Sequence, residues 1–160
     1  VNTEAVSLSN LNESVSLEFE RDSDLQDQPE KIAGTSLGKS LYNLLVVDDN
    51  PQITTLLESI LSDEYVVFKA PSGKRALAIL DDERIDLVIS DILMPDMDGL
   101  EVLKKMKEID PNIKVMMITG RNDESAQNEA QALGASDYLM KPIDLDNLRE
   151  KIEQYILTKR

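Results

Sequence analysis

Leu44-Leu45-Val46-Val47-Asp48-Asp49-Asn50-Pro51 (LLVVDDNP) is the stretch from which the fold can be read. Four consecutive apolar residues suit a short strand buried on both faces of a sheet. The acids that follow cannot share that environment, so the strand ends at the surface. Asn50 suits a helix N-cap, and Pro51 suits the first helical turn, where a missing N–H is no loss. Ile53, Leu56, Leu57, Ile60 and Leu61 then recur at i, i+3, i+4, i+7 and i+8, the spacing of one apolar helix face.

The same alternation continues downstream. Tyr65–Phe68 reads as a second strand, and a helix from Ser72 uses Ala76, Leu77, Ile79 and Leu80. Leu87–Ser90 is a third strand that runs into Asp91. Asp98 can cap the next helix, with Glu101 as capping-box partner, and that helix is expected to bury Leu100, Leu103 and Met106 before stopping at Pro111. Val115–Ile118 is a fourth strand ending at Thr119-Gly120. An alanine-rich helix covers about Glu124 to Leu133 and ends at Gly134. Tyr138–Met140 is the fifth strand, and Leu145–Leu157 the last helix. Short apolar strands alternating with helices specify an α/β fold, a parallel sheet covered on both faces.

Before Leu41 the character changes. Residues 1–40 carry eight acids against three bases and read as an acidic N-terminal extension or linker, with residues 41–160 as the folded domain. Val15, Leu17 and Phe19 alternate with polar residues, and Val6 and Leu8 form a weaker copy. A strand pair followed by a tether and a disordered tail are both compatible with this stretch.

Composition excludes several chemistries. With 160 residues, 41% apolar and 30% charged, the chain can bury a core of one domain. A net charge of −14 disfavours nucleic acid and anionic membrane surfaces as partners. The absence of Cys and His removes disulfides, thiolate and imidazole chemistry, and any internal phosphohistidine. Apolar runs such as Leu44–Val47 are far too short to span a bilayer, and no basic, apolar leader opens the chain, so the expected address is cytoplasmic.

In an open parallel sheet, ligand sites form outside the carboxyl ends of the strands. Asp48 and Asp49 follow strand one, Asp91 strand three and Lys141 strand five, while Thr119 ends strand four. Carboxylates crowded together repel by roughly 4 kcal/mol per pair at 4 Å and an effective dielectric near 20, so they take up protons or recruit a cation. An all-oxygen donor set favours Mg²⁺, with Mn²⁺ as substitute. A carboxylate can itself attack phosphorus, and a cation, an ammonium and a hydroxyl can neutralise the phosphoryl oxygens.

LLVVDDN (44–50), VISDILMPDMDG (88–99), MITG (117–120) and YLMKP (138–142) together resemble the receiver domains of two-component response regulators over about Leu41–Leu157. The resemblance implies a doubly wound five-stranded sheet of order 2-1-3-4-5 with five flanking helices. It implies Asp91 as phosphoacceptor, with Asp48, Asp49, Asp91 and the backbone carbonyl of Leu93 as ligands of Mg²⁺. Lys141 and Thr119 would contact the phosphoryl group, Thr119 and Tyr138 would form the switch, and Lys141-Pro142 falls where a cis bond is common. Leu93 and Arg121 sit where the family varies its hydrolysis rate. The implied donor is a histidine kinase or phosphotransfer protein, and the implied output is a protein target. A homodimer could use helix 4, strand 5 and helix 5, or the N-terminal extension. Such a domain is a regulator with self-phosphorylation and autodephosphorylation chemistry only, either stand-alone or a segment of a hybrid sensor kinase.

Two other classes fit less well. A haloacid-dehalogenase-type phosphatase needs an acid two residues after its nucleophile, where this chain has Asn50 or Leu93. A flavodoxin needs a hydroxyl- and glycine-rich loop after strand one, where two acids stand.

Overall fold

The computed structural model describes residues 42–120 and 124–158; the expected strand pair at Val6–Phe19, its tether and Arg121 lie outside them. Among the described residues five strands alternate with five helices. They are β1 (Asn43–Val47), α1 (Pro51–Leu61), β2 (Val66–Ala70), α2 (Gly73–Asp82), β3 (Leu87–Asp91), α3 (Gly99–Ile109), β4 (Lys114–Thr119), α4 (Glu124–Ala132), β5 (Asp137–Met140) and α5 (Leu145–Thr158). All strand pairs are parallel, in the order β2-β1-β3-β4-β5.

Alternation along the strands sorts the core into two layers. Leu44, Val46, Leu87, Ile89, Met116, Ile118 and Leu139 pack with Leu57 and Leu61 of α1 and with Leu148, Ile152 and Ile156 of α5. Leu45, Val47, Val88, Val115 and Met117 pack with α2, α3 and Ala130 of α4 on the opposite face. The cap expected at Asn50 holds, and Ser72, expected only as the start of its helix, proves to be that helix's cap. Asn50 Oδ1 accepts from Gln52 N, and Ser72 Oγ accepts from Arg75 N. Gly134, at φ +97°, ends α4 in the left-handed conformation that glycine adopts without strain.

Three local expectations are corrected. Leu56 is not on the buried face of α1, where Thr54 sits instead; Leu56 is 46% exposed. A fully apolar i, i+3, i+4 set is wider than the strip that one sheet face can cover. In α3, Val102 is buried while Leu100 is only half-buried. Asp98 caps α3 through Leu100 N, and the Glu101 carboxylate reaches forward to Lys105 at 3.6 Å. The ammonium one turn on competes with the cap for that side chain.

Candidate functional site

β1 and β3 lie side by side, so their C-terminal ends bring Asp48 and Asp91 together from residues 43 apart in the chain. Both acids continue the register of the α1–α5 face: Leu44, Val46, Asp48 on one strand and Leu87, Ile89, Asp91 on the other. They are buried, at 4% and 6% exposure, and Asp49 beside them is exposed. Asp48, Asp49 and Asp91 each offer a carboxylate oxygen, and these oxygens lie within 4.8 Å of one another.

Each buried carboxylate divides its two oxygens in the same way. Oδ1 of Asp48 accepts from Asn50 N at 2.9 Å, and Oδ1 of Asp91 accepts from Leu93 N at 3.2 Å. These are turns in which an Asp side chain takes the amide two residues on. Oδ2 of both acids accepts from Lys141 Nζ, at 3.1 Å in each case. One ammonium therefore bridges two carboxylates. β5 delivers it, because Lys141 N donates to Thr119 O at 2.8 Å and extends the β4–β5 ladder by one residue. The Lys141–Pro142 peptide is cis, as the family resemblance implied.

One cation cannot neutralise the acids around it. Burial pushes the Asp91 carboxyl above its ordinary value, the Asp48 charge adds to that, and the Lys141 contacts and the Leu93 amide oppose it without cancelling it. Burial by itself would lower the Lys141 pKa, but the hydrogen bonds and charges of Asp48 and Asp91 outweigh it and hold the ammonium above the usual lysine range. The surplus negative charge and the oxygen-only donors fit a hard divalent cation.

Thr119 and Tyr138 occupy the same edge but not the same face. Thr119 is fully buried and follows Val115 and Met117 on the α2–α4 side. Tyr138, half-buried, packs against that same core and borders a groove of about 190 Å³ shared with Gln127, Ala130 and Gln131 of α4. The structure thus joins Asp48, Asp49, Asp91 and Lys141 directly, and sets Thr119 and Tyr138 across the sheet from them. Leu93 lies in the loop after Asp91, its side chain 48% exposed.

Sequence reasoning missed a second polar cluster. Asp137 Oδ2 accepts from Lys151 Nζ at 2.7 Å, and the Tyr155 hydroxyl proton is shared between Ser136 O at 2.6 Å and Asp137 Oδ2 at 3.0 Å. Burial and the Asp137 carboxylate raise the Tyr155 hydroxyl to about 12. A tyrosine ten residues into an amphipathic helix carries no sequence signal of a partner on β5.

A doubly wound sheet with switch-point carboxylates and a bridging lysine at its C-terminal edge defines a flavodoxin-like fold built for phosphoryl chemistry. The chain belongs to the response regulator receiver domain family, whose family model matches residues 44–153. It is a phosphoacceptor receiver of two-component signalling. It is 40% identical over 117 residues to sporulation initiation phosphotransferase F of Bacillus subtilis, covering 72% of this chain and 94% of that protein. It is 39% identical to the transcriptional regulatory protein ZraR of Escherichia coli over 70% of this chain, and spans only 26% of ZraR's length. A CheY-like receiver domain protein of Methanospirillum hungatei superposes with a TM-score of 0.71 at 34% identity, over 73% of this chain and 94% of that one. TrrA of Thermotoga maritima, solved in complex with Mg²⁺ and BeF, gives 0.65 at 32% identity over 71% and 98%. No helix among the described residues is long and apolar enough to cross a membrane.

Proposed function

We propose that Asp91 is the phosphoacceptor. The observation that carries this is the bridge from Lys141 Nζ to Oδ2 of both Asp48 and Asp91, at the edge where β1, β3 and β5 end. Asp48, Asp49, Asp91 and the Leu93 carbonyl would hold Mg²⁺, with Mn²⁺ as substitute. When bound, the cation supplies charge neutralisation at the phosphoryl oxygens. Lys141 and the Leu93 amide orient the Asp91 carboxylate. An Asp91 oxygen attacks phosphorus, the P–N bond to a donor histidine breaks, and an acyl phosphate forms with imidazole leaving. Because this chain has no histidine, the donor is another domain or protein, a histidine kinase or phosphotransfer protein.

Lys141 then shifts from carboxylate pairing to the added phosphoryl oxygens, which bring roughly −1.5 to −2 charges. Thr119 hydrogen-bonds the same group from the other side of β4. Tyr138 follows Thr119 toward the space beside α4, and the surface of α4, β5 and α5 changes its protein partner. Self-phosphorylation from a small acyl phosphate and autodephosphorylation are the only turnovers expected. Residues 41–160 form the receiver, and residues 1–40 an extension or linker. The resemblance to sporulation initiation phosphotransferase F supports an intermediate that passes the group on.

Incubation with acetyl phosphate and Mg²⁺, followed by intact-mass measurement, tests the assignment. Wild type should gain one phosphoryl group and Asp91→Ala none. Equal labelling of both, or of neither, overturns it.

A further inference from the structure

We propose that Asp96 is a positioning residue for the phosphoacceptor pocket: its carboxylate fastens the loop between β3 and α3 to the N-terminus of α2. The proposal rests on the cation site read above and names the residue that holds its loop in place.

The loop, residues 92–98, leaves β3 directly after Asp91 and contains Leu93, whose amide orients Asp91 Oδ1. Its ends close tightly. Gly99 N donates to Ile92 O at 2.8 Å, and a Cβ on Gly99 would stand 2.4 Å from the Asp91 carbonyl oxygen. The middle is held by side chains. Met94 is buried and Met97 packs against the core. Asp96, between them, places Oδ1 at 3.4 Å from Gly73 N and Oδ2 at 3.3 Å from Lys74 N.

The first amides of a helix have no partner within it, and their dipole favours an anion. Each contact is long and individually weak, but two oxygens on two successive amides fix the direction of the carboxylate as well as its place. Gly73 gives a second, independent sign that the elements meet there. A Cβ at this position would lie 2.4 Å from Val102 Cγ2 and 3.3 Å from Met97 Cβ, so α2, the loop and α3 converge with no room for a side chain. α2 does not depend on Asp96 for its cap, since Ser72 Oγ already accepts from Arg75 N at 3.1 Å. What Asp96 adds is therefore a constraint on the loop. Asp96 is not among the three acids whose oxygens cluster at the pocket.

Ser72→Ala is the discriminating control, because it weakens the same helix terminus without touching the loop. Mg²⁺ affinity by calorimetric titration, thermal melting, and amide hydrogen exchange over residues 93–98 are measured on wild type, Asp96→Ala, Asp96→Asn and Ser72→Ala. Asp96→Ala should weaken Mg²⁺ binding several-fold, on the order of 10-fold at most, and speed loop exchange. Asp96→Asn, which keeps one acceptor, should recover part of both. Ser72→Ala should melt earlier with wild-type Mg²⁺ affinity and loop exchange. Wild-type affinity in Asp96→Ala, or equal losses in Asp96→Ala and Ser72→Ala, overturns the proposal. If wild type takes up no Mg²⁺, the cation reading falls, and unchanged loop exchange in Asp96→Ala then removes the positioning role as well.

Discussion

Replacing Lys141 by Met keeps the apolar stem and removes the charge that Asp48 and Asp91 share. Each 3.1 Å contact corresponds to roughly 5 kcal/mol of attraction at an effective dielectric near 20. Much of that is offset, since the ammonium no longer has to be desolvated, a cost of several kcal/mol. The variant also has an escape: one carboxyl can take up a proton. With an ordinary value of 3.8, holding that proton at pH 7.5 costs roughly 5 kcal/mol, which caps the loss. We expect Lys141→Met to be about 2–4 kcal/mol less stable than wild type at pH 7.5 in EDTA, by urea unfolding followed by far-UV circular dichroism. The sign with pH follows from linkage. A carboxyl whose folded-state pKa is raised destabilises the fold above its unfolded pKa, and that burden is shed as pH falls through the folded value. The gap to wild type should therefore narrow between pH 7.5 and pH 5. Adding Asp91→Asn to the variant should restore much of the loss. A gap below about 1 kcal/mol at pH 7.5, or one equal at both pH values, would refute the bridging role of the lysine.

Gly99→Ala should cost about 1–3 kcal/mol, because its Cβ would meet backbone atoms of Asp91 and Ile92 at 2.4–2.5 Å, which cannot rotate away; a melting temperature equal to wild type would count against that packing. Leu57→Ala, at 1% exposure, should lose about 2–5 kcal/mol, whereas Leu56→Ala, at 46%, should stay within about 0.5 kcal/mol of wild type. Comparable losses in denaturant midpoint would place both leucines in the core. The Asp137 carboxyl is held below its ordinary value because hydrogen bonds from Lys151, Tyr138 N and Tyr155 outweigh burial. Its contribution is thus present above the unfolded pKa and lost as pH falls through the folded one. Asp137→Asn should cost about 1–2 kcal/mol at pH 7, with the difference from wild type shrinking below about pH 4; a difference constant down to pH 3 would reject the assignment.

Much of the architecture is written locally in the chain. Four apolar residues before Asp48, caps at Asn50, Ser72 and Asp98, and glycine at 134 are properties of a few adjacent residues, and each stands where the periodicity put it. Strand ends were equally legible, because buried strands stop where charge begins, and in a parallel sheet all C-terminal ends share one edge. That placed Asp48, Asp49, Asp91, Thr119 and Lys141 together without coordinates. Only the tertiary structure decided how they are divided. Side-chain parity sends Asp48 and Asp91 to the α1–α5 face and Thr119 with Tyr138 to the other. The breadth of sheet available to α1 leaves Leu56 outside. The choice of one carboxylate oxygen for the local amide and the other for Lys141 depends on partners 93 and 50 residues away. The same holds for Asp96 on α2 and Tyr155 at Ser136, 22 and 19 residues apart. Helix and strand periods repeat within a few residues and carry no information at those separations; packing supplies it.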